Sequence, residues 1–202
     1  MNISNGFFQH LFSRSQSLES LILDCVYKGL ERFKICGSQS VRILKITDCN
    51  GIAGEIDASN LVSLEYSAYQ IPMLKIENES SQLKHSHISL DSYPGDNLNS
   101  SWFCELNKFL LNSISWSQVS LQFYECNEIN MKDLQLHQRV ATPQVDVLNV
   151  NFLWPLIDLC PTFVDALLWS CHPKRFNLRL STLEEPTIEM ICFMDHLLNM
   201  KN

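Results

Sequence analysis

Apolar residues recur along the first 76 positions as a triplet at places one, four and six. Leu18, Leu21 and Leu23 fit it, as do Leu30, Phe33 and Ile35, then Val41, Leu44 and Ile46. Ile52 and Ile56 form a weaker copy with no apolar residue at place four. Leu61, Leu64 and Tyr66 restore the pattern, followed by Ile71, Leu74 and Ile76. Triplets alone carry little weight, because a chain that is 46% apolar produces roughly 19 by chance. Their spacing is the stronger signal. The starts at 18, 30, 41, 52, 61 and 71 are nearly evenly spaced, and the turn formers Gly29, Gly37, Ser38, Asn50, Gly51, Ser59 and Asn60 fall between them. Places four and six share one face of an extended strand, so the pattern predicts a series of short strands, each with one face to bury.

Taken two at a time, the steps run from 18 to 41 and from 41 to 61. Both fit the period of a leucine-rich repeat, roughly 20 to 29 residues. One coil then holds two triplets, on opposite faces of a solenoid. Such a coil leaves its apolar face bare until a neighbour stacks on it, and stacked coils build a continuous core. Cys25, Cys36 and Cys49 follow three of the triplets at similar separations. Small, semi-polar Cys or Asn is the usual occupant there in leucine-rich repeats, which gives these cysteines a structural role.

Residues 77–100 read as a polar loop with a Tyr-Pro-Gly-Asp turn around one short strand at 87–90. Ser101 is the expected N-cap of a helix carrying Trp102, Phe103, Leu106, Phe109 and Leu110 at helical spacing. Strand-like triplets then return at Trp116, Val119 and Leu121, at Met131, Leu134 and Leu136, and at Val145, Leu148 and Val150, in looser steps. Pro155 and Pro161 bracket a connection, 164–170 reads as a short helix and 176–180 as a strand. A last helix begins near Pro186, with Ile188, Ile191, Met194 and Leu198 on one face. It is expected to cap one end of the stack, while Phe7, Phe8 and Phe12 cover the strand edge at the other. The expected fold class is α/β: a leucine-rich-repeat-like solenoid of short strands with few helices. A single domain over 1–202 divides into regular repeats (1–76), a polar loop region (77–100), a helix with irregular repeats (101–180) and a C-terminal capping helix (181–202).

Composition narrows the function. With 202 residues and 18% charged positions, the chain can bury a sizeable core. Its 15 Lys and Arg against 22 Asp and Glu give a net charge of −7. That balance lacks the basic footprint of a nucleic-acid binder and the polybasic anchor of a membrane-surface protein. The most apolar stretch, 145–169, is broken by Asp146, Asp158, Asp165, Pro155 and Pro161, so no spanning helix is expected. The first residues, MNISNGFFQHLFSR, lack the basic start and apolar run of a signal peptide. Glycosylation-type triplets at Asn2, Asn78 and Asn99 are then expected to be silent.

The eight cysteines contain no CxxC pair, and the histidines supply no second half-site for zinc. Cys171-His172 and His85-Ser86-His87 are the nearest approaches. The simpler reading is reduced core thiols and surface imidazoles in a cytoplasmic or nuclear protein. A catalytic cysteine needs a base beside it. Cys171 and His172 are the only adjacent pair of that kind, and strand neighbours point apart. Nucleophile-elbow, zincin, P-loop and dinucleotide fingerprints are absent, and the six glycines do not cluster. No catalytic residue, metal ligand or cofactor site is assigned.

The stretches LESLILDCVYKGLERFKI and SVRILKITDCNGIAGEIDASNLVSLEYSAYQIPMLKI resemble the leucine-rich region of plant F-box/LRR proteins. In that family an LxxLxIxxC strand is followed by a second short strand and by a phrase near IDAPNLxSxEYSG, which here reads IDASNLVSLEYSA over 56–68. DALLWSCHPKRFNL (165–178) and the final MICFMDHLLN are similar to the family's C-terminal part. The resemblance runs from about Phe7 to Asn199 and is most specific around 41–68. It implies a solenoid that presents a surface to a target protein, while a separate F-box docks onto the adaptor of an SCF ubiquitin ligase.

The chain also departs from that family. No LPDxxLxxIL-like F-box string is present, the first repeat has its Cys one residue early at Cys25, and the Ala-Pro-Asn-Leu step reads Ala58-Ser59-Asn60-Leu61. The FBD signature of one branch is not recognisable. The expected partner is therefore an unidentified target protein, with no docking onto the SCF adaptor. The alternatives are a truncated product without independent activity and a cysteine-dependent enzyme. A binding face would use the outward positions Glu19, Ser20, Ile22 and Asp24 of the first repeat and Arg42, Ile43, Lys45 and Thr47 of the next, with Ile22 and Ile43 forming a small apolar patch.

Overall fold

A computed structural model describes residues 5–24, 32–35, 38–48, 53–76, 83–92, 95–111, 116–136, 141–153 and 160–180. Seven strands form one sheet in the order β1 (Ser20–Asp24), β3 (Ile43–Thr47), β5 (Ser63–Ala68), β7 (His85–Asp91), β8 (Trp116–Phe123), β9 (Gln144–Phe152) and β10 (His172–Leu180). A second sheet of three strands runs β2 (Arg32–Ile35), β4 (Ala53–Ile56) and β6 (Met73–Ile76). Every described pairing is parallel, and neither sheet closes into a barrel. Alternate triplets thus go to alternate sheets, as the two-triplet coil requires. Helices α1 (Asn5–Arg14), α2 (Ser100–Leu111), α3 (Met131–Leu136) and α4 (Pro161–Ser170) complete the described elements.

The register shows what places one, four and six do. Leu21, Leu44 and Leu64 stand opposite one another, and Leu23, Ile46, Tyr66, Ile88, Val119, Leu148 and Phe176 form one row across all seven strands. Place one is also inward, because the chain kinks at places two and three. The carbonyl of Glu19 accepts from both Arg42 N–H and Ile43 N–H, Arg42 O accepts from Val62 and Ser63, and Val62 O accepts from Lys84 and His85. Two successive residues therefore face outward, and Val41, Leu61, Trp116 and Val145 turn into the core. The core is one contiguous cluster from Phe8 to Cys171 that includes Leu21, Leu44 and Leu64.

Several expectations are corrected. The copy at Ile52 looks weak in the sequence because its register starts one residue earlier: buried Gly54 stands opposite Phe33 and Leu74, and Ile56 opposite Ile35 and Ile76. The strand expected at 87–90 extends over His85–Asp91 and sits at the centre of the large sheet. Its triplet is Leu83, Ser86 and Ile88, hidden in the sequence by the serine at place four. Met131, Leu134 and Leu136 form helix α3, with only Leu134 buried and Leu136 81% exposed. The one-to-four spacing of a strand triplet equals the i, i+3 spacing of a helix. Asn130 decides between them: its Oδ1 accepts from Lys132 N–H and its carbonyl from Asp133 and Leu134.

The N-cap of α2 is Asn99, whose Oδ1 accepts from Ser101 N–H at 2.9 Å and Trp102 N–H at 3.2 Å, so Ser101 lies inside the helix. Helix α4 opens earlier than 164, at Pro161, whose missing N–H costs nothing in the first turn. Strand β10 follows α4 after the single residue Cys171. Gly95 holds φ 87°, as the turn signal predicts, and its N–H donates to Glu125. Helix α1 packs against β2 with Phe8 fully buried, while Phe7 is half exposed. The expected capping helix at 181–202, the loop at 77–82, Pro155, Leu30, Cys25, Cys36 and Cys49 lie outside the described residues. Among the described residues no helix is long and apolar enough to cross a membrane.

Candidate functional site

The outer face of the seven-stranded sheet carries two complete rows of side chains. One runs Ile22, Lys45, Glu65, His87, Gln118, Val147 and Arg175; the other runs Asp24, Thr47, Ser67, Ser89, Ser120, Asn149 and Asn177. All of these positions are exposed or half-buried. This follows from the strand period: if the even places enter the core, the odd ones face solvent. Neighbours along a row belong to successive coils, far apart in the chain, but lie one strand spacing apart, about 4.8 Å. The face is thus continuous although no stretch of sequence is.

Its two ends differ chemically. Toward β1 the contacts are ionic or charge-assisted: Lys45 Nζ meets Glu65 at 2.8 Å, and Thr47 Oγ1 donates to Asp24 at 3.3 Å. Ile22 and Ile43 are 63% and 46% exposed on adjacent strands, out of register with each other, which places the expected apolar patch there. Toward β10 the contacts are neutral. Gln118 Nε2 and Asn149 Nδ2 each donate to Ser120 Oγ at 3.2 Å, His87 Nε2 lies 3.2 Å from the same oxygen, and Asn177 Nδ2 donates to Asn149 Oδ1 at 2.8 Å. A hydroxyl has two lone pairs and one proton. With both lone pairs taken by amides, Ser120 must give its proton to His87 Nε2, so His87 is the neutral Nδ1–H tautomer. Burial pushes the His87 pKa down, and Lys45 adds to this while Glu65 opposes it. At the far end of the same face, burial and the nearby Asp48 raise the Asp91 carboxyl. Lys174 pairs with Asp146 at 2.7 Å on the exposed rim.

The outward positions expected from the first two repeats all face solvent: Glu19, Ser20, Ile22, Asp24, Arg42 and Ile43 are exposed or nearly so, and Lys45 and Thr47 half-buried. Sequence reasoning missed the polar ladder of Ser120, Asn149 and Asn177. Its trace is asparagine inside apolar strands, at VLNVNF and FNLRL, where Asn is ordinarily depleted. That trace becomes a row only once the pairing of β8, β9 and β10 is known.

The structure does not assemble Cys171 and His172. The thiol is buried and donates back to Leu167 O at 3.7 Å, while the imidazole is exposed. His85 and His87 share the outer face, and among the described residues no three His, Cys, Asp or Glu side chains gather as a metal site. Asn99 is occupied as a helix cap, and Asn2 and Asn78 lie outside the described residues. Comparison with protein-family models, with curated proteins and with solved structures finds no match.

Proposed function

We propose that the chain is a leucine-rich-repeat-like solenoid that binds a target protein across its seven-stranded face, in the manner of the substrate-recognition half of the plant F-box proteins it resembles, and that it performs no catalysis. The observation that carries this reading is the pair of unbroken outward rows, Ile22 to Arg175 and Asp24 to Asn177. A parallel sheet laid down in chain order offers an extended, regularly spaced array of ionic, apolar and amide groups. That array suits a polypeptide surface better than a small molecule, which needs a concave pocket. On this reading the chain works in the cytoplasm or nucleus and supplies the target-facing half alone.

The test is affinity capture on the immobilised full chain, with bound proteins identified by mass spectrometry. Wild type is compared with Arg42→Glu/Lys45→Glu on the outer face and with Lys132→Glu on exposed α3 as a control. The expected result is a partner retained by wild type and by the control and lost from the outer-face variant. Retention that is the same for all three overturns the surface. Recovery of the SCF adaptor with this chain overturns the absence of docking.

A further inference from the structure

Two thiols meet where the loop after β8 passes the start of α4. Cys126 and Cys160 are far apart in the chain, yet Cys160 N–H donates to Cys126 Sγ at 3.2 Å and Cys160 Sγ donates to Cys126 O at 3.4 Å. Cys126 Sγ in turn lies 4.0 Å from Cys160 O, and the two side chains are hydrogen-bonded to each other. The contact is held from both sides. Cys160 is the N-cap of α4 at φ −86° and ψ 117°, with no capping bond from its side chain, so its sulfur is turned toward Cys126. A little beyond Cys126, Ile129 N–H donates to Thr162 Oγ1 at 3.0 Å and fixes the same loop to the first turn of α4. Both cysteines are half-buried, within reach of a small solute, whereas Cys104 and Cys171 are buried.

We propose that Cys126 and Cys160 are a redox modification site, a dithiol that peroxide-class oxidants convert reversibly to a disulfide. The first step is attack of Cys160 sulfur on hydrogen peroxide: the O–O bond breaks, a sulfenic acid forms and water leaves. Cys126 sulfur then attacks the sulfenic sulfur, forming the S–S bond, and the departing hydroxide takes the Cys126 proton as a second water. Two thiols lose two electrons and two protons, and one peroxide is reduced to two waters. The order follows from position. Cys160 stands at the N-terminus of helix α4, where the aligned N–H groups favour negative charge on sulfur. Burial pushes the Cys126 thiol up to about 12, which suits it to the second step rather than the first. Closing the bond takes the sulfurs from hydrogen-bonding distance to about 2.05 Å.

The test treats the folded full chain with a small excess of hydrogen peroxide in native buffer, alkylates it, digests it without reduction and maps the peptides by mass spectrometry. The expected product is a Cys126–Cys160 cross-linked peptide two hydrogens lighter than the thiol pair, which dithiothreitol reverses. Closing this loop is expected to raise the thermal midpoint by roughly 5–10 °C. Recovery of both residues as alkylated thiols overturns the proposal, as does a link that forms only in urea. Under the same treatment Cys126→Ser is expected to leave Cys160 as a sulfenic acid trapped by a 1,3-diketone. A trapped sulfenic acid on Cys126 in Cys160→Ser, with none on Cys160 in Cys126→Ser, overturns the order of attack.

Discussion

The coils built on β1, β3 and β5 and those built on β7, β8 and β9 share one front sheet but differ behind it. The first three are backed by the short strands β2, β4 and β6, the other three by helices α2, α3 and α4. Repeat length follows the backing. Leu21, Leu44, Leu64 and Ser86 stand opposite one another in the strand-backed half, and Ile88, Val119, Leu148 and Phe176 in the helix-backed half. Every step in the second series is longer than every step in the first. A back strand like those of β2, β4 and β6 covers about 13 Å, and a helix needs about nine residues for the same distance. Much of the added length is therefore spent crossing the back of the coil at the helical rise of about 1.5 Å per residue. A helix is also about 10 Å wide against a front-strand spacing of about 4.8 Å, so a helix-backed coil is a wedge and a strand-backed coil is parallel-sided.

The cores differ accordingly. Between the two sheets the contacts are mostly aliphatic, with Leu44, Leu64, Ile35 and Ile56 buried and Tyr66 the one large aromatic among the described residues there. Between helices and sheet lies an aromatic hub: Phe163 meets Phe123 at 4.9 Å, Phe103 at 5.3 Å and Phe152 at 5.9 Å between ring centroids. The largest expected effect breaks this contrast directly. Phe163→Ala empties the hub and should cost about 3–5 kcal/mol, while Leu44→Ala in the strand-backed half should cost about 2–5 kcal/mol. Since one apolar cluster joins the halves, urea denaturation should show a single shifted transition for each variant. Two separate transitions would mean that the halves unfold independently, and a non-cooperative wild type would favour a product that does not fold alone.

The next effect lies at the seam. Ser86 and Ser117 exchange four contacts where the register of β7 shifts onto β8: Ser86 N–H donates to Ser117 Oγ at 2.6 Å, Ser117 N–H donates to Ser86 Oγ at 2.9 Å, Ser117 Oγ donates to Ser86 O at 3.1 Å, and the two hydroxyls lie 3.2 Å apart. Each hydroxyl serves an N–H at the shift, where β7 and β8 meet out of step. Ser86→Ala and Ser117→Ala should each cost about 1–3 kcal/mol by orphaning a buried or half-buried donor. The double variant should cost less than the sum, because the two side chains serve the same bonds. Full additivity in a double-mutant cycle would show that the seam does not couple the halves.

The seam also marks where the sequence stops being legible. In the strand-backed half every place of the triplet is apolar or nearly so, and the alternation of sheets follows from the near-even steps between triplets. At β7 the motif is disguised by Ser86, whose polarity makes sense only once Ser117 is opposite it. Beyond it, Met131 and Leu134 satisfy a strand triplet and a helix face equally well, and the deciding group is the side chain of Asn130, not an apolar residue. The outer face is readable one strand at a time, as Lys45 and Thr47 show. The Ser120–Asn149–Asn177 row is not, since it depends on pairings between successive coils that no local pattern reveals.

A smaller effect sharpens the helix side of the comparison. Asn99→Ala removes the cap of α2 and should cost about 1 kcal/mol, with Ser101→Ala near zero because the cap bonds come from Asn99; thermal melts read both.

The smallest effect separates the two ends of the outer face by their response to acid. The Lys45–Glu65 contact is exposed and ionic, and it weakens with added salt. The Ser120 cluster is neutral and should ignore salt, but it depends on His87 staying unprotonated. The folded-state pKa of His87 is lowered below the usual imidazole value of about 6.5. Above that value both folded and unfolded chains carry neutral imidazole and the cluster contributes in full. As pH falls through about 6.5 the unfolded chain takes up the proton first, so stability drops, and it goes on dropping until the folded chain is protonated too. Protonated His87 presents Nε2–H to Ser120, which then faces three donors with two lone pairs and loses one bond. Urea midpoints compared between about pH 7.5 and about pH 5.5, on either side of the ordinary imidazole value, should therefore fall by less in His87→Gln than in wild type, at low and high salt alike. An equal fall in both proteins would place the acid sensitivity elsewhere on the face.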